Sequence, residues 1–152
     1  MIILHSLEDT EQLAQVVATY LSPPDVLTLE GVIGAGKTTF TQALARAYHV
    51  DDNVNSPTFT ILKQYEGKVP FQHFDVYRLK DQYEDLGWDD LFYGDAISIV
   101  EWAQYIEDFL PEEYITLRFE VIDETTRHVI CEAHGERFEK ICEAIKDAMV
   151  RD

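Results

Sequence analysis

Eight consecutive residues carry the clearest chemical pattern of the sequence. Residues 31–38 read Gly-Val-Ile-Gly-Ala-Gly-Lys-Thr and satisfy the motif G-x-x-x-x-G-K-[ST] in full. The glycines of such a loop allow consecutive backbone N–H groups to turn inward and form a nest for an anion. Lys37 would place its charge on the β- and γ-phosphates, and the hydroxyl of Thr38 would bind magnesium. The motif predicts a site for Mg²⁺ and a nucleoside triphosphate, either ATP or GTP.

The segments on either side of this loop have the character that the motif requires. Residues 26–30 form a continuous run with β-branched side chains, which is typical of a buried parallel strand. Residues 37–49 return to helical spacing, with the apolar side chains on one side. Strand, loop and helix therefore follow one another, and the positive N-terminal end of the helix would face the anion.

Two carboxylates stand where magnesium ligands of such a site are expected. Asp75 follows the strand-like residues 71–74, and Glu101 follows the apolar run 96–100. Phosphoryl transfer needs ligands for magnesium in addition to the phosphate-binding loop, and these often lie at strand ends. Each carboxylate is either such a ligand or a solvated side chain at the end of a strand, and the spacing alone leaves both interpretations open.

Four further features lie close to these residues in sequence. His73 is better interpreted as a packed or hydrogen-bonded histidine than as a catalytic base. Arg78 would either pair with Asp75 or neutralise a phosphate. The segment Ser-Pro-Thr at 56–58 is either a switch loop that offers a hydroxyl or an ordinary turn. Trp102, considered alone, is expected to pack.

The remaining periodicity predicts alternating strands and helices in a single domain, 1–152. Ser6 is a candidate N-cap for a helix that ends before the two prolines at 23 and 24. Residues 138–149 have the spacing of a last helix. The other segments read as strands, with 114–121 and 128–133 as a pair: 2–5, 59–65, 69–77, 96–100, 114–121 and 128–133.

The net charge of the chain indicates which classes of partner it can bind. With 29 acidic and 12 basic residues, the formal net charge is -17. Such a surface repels nucleic-acid phosphates and anionic membranes within a Debye length of about 8 Å at physiological salt. We therefore expect no direct grip on tRNA or DNA. The charge serves either a protein partner with a basic face or solubility alone.

Cysteine usage and the N-terminus predict a cytoplasmic location. Cys131 and Cys142 lie in apolar patterns without metal-ligand spacing, and we expect reduced core thiols rather than a disulfide. The N-terminal residues lack the basic region and cleavage site of a signal peptide. No segment approaches the roughly 18 apolar residues that a membrane span needs.

Four segments, in order along the chain, resemble those of the TsaE (YjeE) family. They are LEGVIGAGKTT at 29–39, SPTFT at 56–60, HFDVYRL at 73–79 and VEW at 100–102. The resemblance extends from about residue 6 to residue 133. It implies an α/β P-loop NTPase fold with a mixed, mainly parallel central sheet flanked by helices, together with the antiparallel strand pair. The chain departs from the family pattern at Val32 and Ile33, where the family has Asp-Leu, and at Ala103, where it often has proline.

The same resemblance implies an accessory ATPase. Members of the family bind ATP and Mg²⁺ and hydrolyse ATP weakly alone. They act with TsaB and TsaD, which transfer a threonylcarbamoyl group to adenosine 37 of tRNAs that read ANN codons. Hydrolysis is thought to reset that complex between turnovers. The resemblance therefore narrows the nucleotide to ATP and names TsaB and TsaD as expected partners.

Roles for individual residues follow by position from the resemblance. Thr38, Glu101 and Asp75 would hold magnesium, with Asp75 as the Walker B-like carboxylate. Thr58 would be the switch-loop residue. The expected catalytic set is Lys37, Asp75, Glu101 and Thr58. The adenine would lie near the N-terminal segment. The full nucleotide-binding set that the resemblance and the motif imply is Gly31, Gly34, Ala35, Gly36, Lys37, Thr38, Thr39, Leu7, Thr10, Trp102 and Arg127.

Two other classes of P-loop protein compete with this interpretation. A small-molecule kinase would need arginines that clamp an acceptor and a lid over the phosphates. The arginines of this chain are few and scattered, and no arginine-rich segment follows the central strands. A non-catalytic nucleotide sensor would differ only in turnover, which the sequence does not determine.

Overall fold

The computed structural model describes residues 1–32, 34–51, 62–79 and 87–150, without the side chain of Arg78. These residues form seven strands, four α-helices and two 3₁₀ helices. The 3₁₀ helices are Tyr77–Leu79 and Ala103–Phe109. The other elements, in chain order, are β1 (Ile2–Leu4), α1 (Leu7–Tyr20), β2 (Val26–Glu30), α2 (Lys37–Ala47), β3 (Leu62–Glu66), β4 (Pro70–Asp75), α3 (Trp88–Phe92), β5 (Ile97–Glu101), β6 (Tyr114–Val121), β7 (Arg127–His134) and α4 (Glu136–Met149).

The described strands form one sheet in the order β1-β7-β6-β2-β5-β4-β3. The pairs at its centre, β6 with β2, β2 with β5 and β5 with β4, are parallel. The pairs at its two edges are antiparallel. The mixed sheet and the antiparallel pair β6–β7 are as predicted. The β3–β4 hairpin adds a second antiparallel region at the opposite edge.

The central strand β2 is buried because helices cover both of its faces. Leu27 and Leu29 belong to a large core that includes side chains of α1, α2 and α4. Val26 belongs to a smaller core with Phe74 and Trp88. Successive residues of a strand point to opposite faces, so the continuous apolar run of β2 has an apolar partner on each side.

The predicted strands and helices lie largely where the periodicity placed them. The loop-flanking pair is confirmed as β2 and α2, and the last helix as α4. The predicted strand at 69–77 ends earlier, at Asp75, because residues 77–79 turn into a 3₁₀ helix. For the predicted strand at 59–65, residues 59–61 lie outside the described part of the chain. In that part, no helix is long and apolar enough to cross a bilayer.

The expectation of two reduced thiols is contradicted by the structure, in which Cys131 and Cys142 form a disulfide. Cys131 lies on β7 and Cys142 on α4. The chain reverses at Gly135, so that α4 packs back on the strand that precedes it. This brings the two Cα atoms to 5.8 Å, a separation that a disulfide spans. The sequence separation of 11 residues does not reveal that contact.

Candidate nucleotide-binding site

A cavity of about 1090 Å³ opens where β2, β4 and β5 reach their carboxyl ends. In open α/β sheets this edge is where ligands bind, because the loops that follow parallel strands meet there. The cavity brings together eleven of the predicted site residues from five separate parts of the chain. These are Leu7, Thr10, Gly34, Gly36, Lys37, Thr38, Thr39, Asp75, Glu101, Trp102 and Arg127.

Two of the predicted residues that the structure describes, Gly31 and Ala35, do not line this cavity. Gly31 lines a smaller cavity nearby, of about 300 Å³. Ala35 is fully buried beneath the loop. Thr58 lies outside the described residues, as does the side chain of Arg78. Neither Gly31 nor Ala35 therefore contributes to the lining of the larger cavity.

Backbone geometry explains two glycines of the phosphate-binding loop. Gly31 has φ +145°, and a Cβ atom there would stand 2.8 Å from the carbonyl oxygen of Phe119 on β6. Gly36 has φ +107° and serves as the N-cap of α2 without a side-chain cap. No side chain of the cap residue therefore takes up the first N–H groups of α2, and this end of the helix faces the cavity. Such an end is an anion site.

Lys37 is the first residue of α2, and it is buried, with 7% of its surface exposed. Its Nζ lies 3.9 Å from Oε1 of Glu101 and 4.7 Å from the centroid of the Trp102 ring. A buried ammonium is costly unless charges and hydrogen bonds compensate it. The carboxylate and the face of the indole provide that compensation in the structure.

Asp75 and Glu101 lie side by side because β4 and β5 are parallel and in register at their ends. Glu101 is buried, and its Oε2 lies 2.7 Å from Nε2 of His73. Asp75 accepts a hydrogen bond from the backbone N–H of Tyr77, at 3.1 Å, which stabilises the start of the 3₁₀ helix. His73 is thus a buried, hydrogen-bonded histidine, as its position in the sequence indicated.

The oxygen donors around the loop suit magnesium. Thr38 offers a hydroxyl, and Asp75 and Glu101 offer carboxylates, all at the wall of one cavity. Magnesium is usually held by one or two carboxylates together with substrate phosphates, rather than by a complete cage of protein ligands. The described residues contain no group of three or more His, Cys, Asp or Glu side chains that could hold a metal.

Aromatic side chains form the wall beside Lys37. Trp102 has the left-handed backbone conformation, with φ 64°, and directly precedes the 3₁₀ helix 103–109. Its ring stacks on Tyr105, with 6.2 Å between centroids, and meets the ring of Tyr77 edge-on at 5.0 Å. The sharp turn after β5 therefore places the indole over the lysine ammonium.

Another part of the cavity wall is formed by the first turn of α1. The hydroxyl of Ser6 accepts from the backbone N–H of Asp9, and the carboxylate of Asp9 accepts from the N–H of His5 at 2.8 Å. This reciprocal capping fixes where the helix starts. It leaves Leu7 largely exposed at the cavity and Thr10 one turn further on.

The turn between β6 and β7 completes that wall. Arg127 donates to the carbonyl oxygen of Asp123, at 2.7 Å, and approaches the carbonyl oxygen of Gly34 at 3.5 Å. Hydrogen bonds from the backbone N–H groups of Thr125 and Thr126 lower the pKa of the Asp123 carboxyl. These contacts tie the turn into a defined shape beside the phosphate-binding loop.

Several residues that line the cavity were not anticipated. Tyr77 stands two positions after Asp75, so its place in the HFDVYRL segment was the available signal. His5 and Ser6 precede α1, and Glu124 and Thr125 belong to the β6–β7 turn. No local pattern marks these four as neighbours of the loop, because they reach it only through the pairing of the edge strands.

The parallel centre of the sheet and the glycine loop between β2 and α2 define a P-loop NTPase fold. A sequence profile of the family described as "Threonylcarbamoyl adenosine biosynthesis protein TsaE" matches residues 4–129. The chain belongs to the TsaE family.

Individual relatives agree with this assignment. The tRNA threonylcarbamoyladenosine biosynthesis protein TsaE of Bacillus subtilis is 45% identical over 139 residues, which cover 91% of this chain and 88% of that protein. The TsaE protein of Aquifex aeolicus is 41% identical, with 84% and 92% covered. The crystal structure of YdiB from Bacillus subtilis superposes with a TM-score of 0.78 at 35% identity, and 97% of each chain is covered.

Proposed function

We propose that this protein is a magnesium-dependent ATPase that supports threonylcarbamoyladenosine synthesis on tRNA. One observation carries the proposal: Lys37 and Thr38 of the phosphate-binding loop share a cavity wall with the paired strand-end carboxylates Asp75 and Glu101. A site that only bound a phosphate would not need two carboxylates there, since they repel it. Magnesium bound between carboxylates and phosphates removes that conflict.

The proposal gives each group a task. The N-terminal end of α2 and the ammonium of Lys37 bind the β- and γ-phosphates. Thr38, Asp75 and Glu101 would hold magnesium, which would supply neutralisation of the phosphate charge. The hydroxyl of Thr58, outside the described residues, acts in the switch loop.

The adenosine end of ATP is assigned to the wall formed by α1 and the β6–β7 turn. Leu7 and Thr10 contact the base, and Arg127, already close to the loop carbonyl of Gly34, stands at the same side. The exposed apolar side chain of Leu7 suits contact with an aromatic base. Trp102 closes the opposite side, beside Lys37.

TsaB and TsaD are the proposed partners, in the cytoplasm. The net charge of -17 disfavours contact with tRNA phosphates and favours a protein with a basic face. In this arrangement the partner complex binds the tRNA, and this chain supplies ATP hydrolysis.

The test is steady-state hydrolysis of ATP and GTP by the purified protein, with and without TsaB and TsaD from the same host. We expect slow magnesium-dependent hydrolysis of ATP alone, faster hydrolysis with both partners, and loss of both rates in Lys37→Ala. Absence of stimulation together with absence of a complex would contradict the proposal. Transfer of the γ-phosphoryl group to a small-molecule acceptor instead of water would identify a kinase.

A further inference from the structure

A fully buried histidine lies directly behind the proposed magnesium ligands. His73 is on β4, two residues before Asp75, and 0% of its surface is exposed. Its Nε2 lies 2.7 Å from Oε2 of Glu101 on the neighbouring strand. We propose that His73 is a positioning residue that fixes the orientation of the Glu101 carboxylate for magnesium. This inference rests on the proposed function, in which Glu101 is a magnesium ligand.

Packing alone does not account for a histidine at this position. Three neighbours on the same face of the sheet are apolar and fully buried, namely Phe71 two residues earlier on β4, and Ile97 and Ile99 on β5, while Lys63 on β3 stands opposite His73. Among the described residues, Nδ1 of His73 is buried without a hydrogen-bond partner. An unpaired buried polar atom lowers stability, so an apolar side chain would suit this core better. The histidine provides a hydrogen bond to Glu101, which an apolar side chain would not make.

The hydrogen bond distinguishes the two oxygens of Glu101. A carboxylate can only accept, so Nε2 of His73 carries the proton and donates it to Oε2. The other oxygen, Oε1, is directed toward Nζ of Lys37, which lines the cavity. One oxygen is therefore held by the sheet, and the other is presented to the site. Partners of this kind orient metal ligands, and their removal typically weakens metal binding by about 10- to 100-fold.

Two substitutions at His73 form a matched pair. The amide nitrogen of Gln reaches about as far as Nε2 of histidine, whereas that of Asn ends near the position of Nδ1. Both side chains are neutral and polar, so they should lower the stability of the core by similar amounts. His73→Gln keeps a donor for Glu101, and His73→Asn removes it.

The measurement is the affinity for ATP, by isothermal titration calorimetry, in excess Mg²⁺ and in EDTA. The dissociation constant in EDTA divided by that in Mg²⁺ reports how strongly magnesium and ATP binding are coupled. We expect His73→Asn to lower this ratio about tenfold, while the affinity in EDTA is unchanged. His73→Gln should keep most of the ratio. An unchanged ratio in His73→Asn, or equal losses in both variants, overturns the inference.

Gln72→Leu is the control for general destabilisation. Gln72 is adjacent in sequence and also buried, but its side chain lies on the other face of the sheet, where it donates to Ser98 and to the carbonyl oxygen of Leu91. This variant should lose stability in urea and keep the wild-type ratio. A loss of ratio as large as that of His73→Asn would show that the effect is structural and overturn the inference. Should His73→Asn fail to fold, His73→Leu carries the same expectation.

Glu101→Gln separates failure of the inference from failure of the proposed function. If Glu101→Gln lowers the ratio and His73→Asn does not, the inference alone is wrong. If the wild-type protein binds ATP equally well in Mg²⁺ and EDTA, the proposed magnesium site is wrong and the inference is overturned with it.

Discussion

The parallel centre of the sheet and its antiparallel edge differ in how deeply their ion pairs are buried. At the centre, Lys37 and Glu101 form an ion pair whose side chains are 7% and 5% exposed. At the edge, Arg118 on β6 pairs with Glu132 on β7 at 2.7 Å, and these side chains are 41% and 32% exposed. Both are lysine- or arginine-carboxylate pairs, but only the central one is removed from water.

The difference in burial indicates a difference in purpose. Exposed ion pairs contribute between about 0 and 1 kcal/mol to stability, and they can be lost with little effect. Burying two charges costs several kcal/mol per ion before their attraction is counted, so stability is a poor reason to keep such a pair. The central pair lies at the wall of the cavity, where the proposed nucleotide and metal ion would need both charges. We therefore expect substitutions at the centre to affect binding and substitutions at the edge to affect stability.

The largest expected effect is on ligand binding at the centre. Lys37→Ala removes the ammonium that would bind the β- and γ-phosphates. A hydrogen bond to a charged group contributes about 1.5–3 kcal/mol, so the dissociation constant for ATP should rise about 10- to 150-fold. Calorimetric titration in Mg²⁺ measures it. An ATP affinity equal to that of the wild-type protein would contradict the assignment of the phosphate-binding site.

The second effect tests the contact between the phosphate-binding loop and β6. Gly31→Ala places a Cβ atom 2.8 Å from the carbonyl oxygen of Phe119, at a residue with φ +145°. Strained backbone and overpacking each cost about 1–3 kcal/mol, and we expect a loss of stability in this range. ATP affinity should fall as well, since the phosphate-binding loop begins here. Urea unfolding and calorimetry measure the two effects, and a variant with wild-type stability would show that β6 does not constrain the loop.

The third effect lies in a separate region, at the end of β2 remote from the phosphate-binding loop, where Asp25 precedes the strand. Arg137, on α4, makes two hydrogen bonds to the carboxylate of Asp25, at 2.7 and 2.9 Å. Asp25 is buried but Arg137 is half exposed, so Arg137→Ala should reduce the free energy of unfolding by about 1–2 kcal/mol, less than for a fully buried pair. ATP affinity should be unchanged. If ATP binding weakens in step with stability, the two regions are not separable.

The smallest effect is expected at the surface between α1 and α2. Arg46 pairs with Glu11 at 2.8 Å, and both side chains are more than half exposed. Arg46→Ala should change the free energy of unfolding by no more than about 0.5 kcal/mol and leave ATP binding unaltered. Urea unfolding checks the first value and calorimetry the second. The variant also serves as a matched cation control for Lys37→Ala, since Arg46 lies on the same helix.

Local rules predicted the elements that carry the site. The run at β2, the glycine loop and the spacing of α2 follow from period and backbone conformation, so no distant contact was needed to place them. The capping role of Ser6 was predicted for the same reason. By contrast, the pairing of Cys131 with Cys142 was predicted wrongly, because it depends on the direction in which α4 leaves Gly135.

The sequence by itself determined the phosphate-binding loop, the strand-end carboxylates and the acidic surface, since each depends on residue type and local spacing. Only the tertiary structure decided which groups meet. The parallel pairing of β4 with β5 puts His73 against Glu101 and Asp75 beside it, and the pairing of β6 with β7 brings Arg127 to the loop. These contacts join residues far apart in the chain. They depend on strand order and register, which local periodicity does not encode.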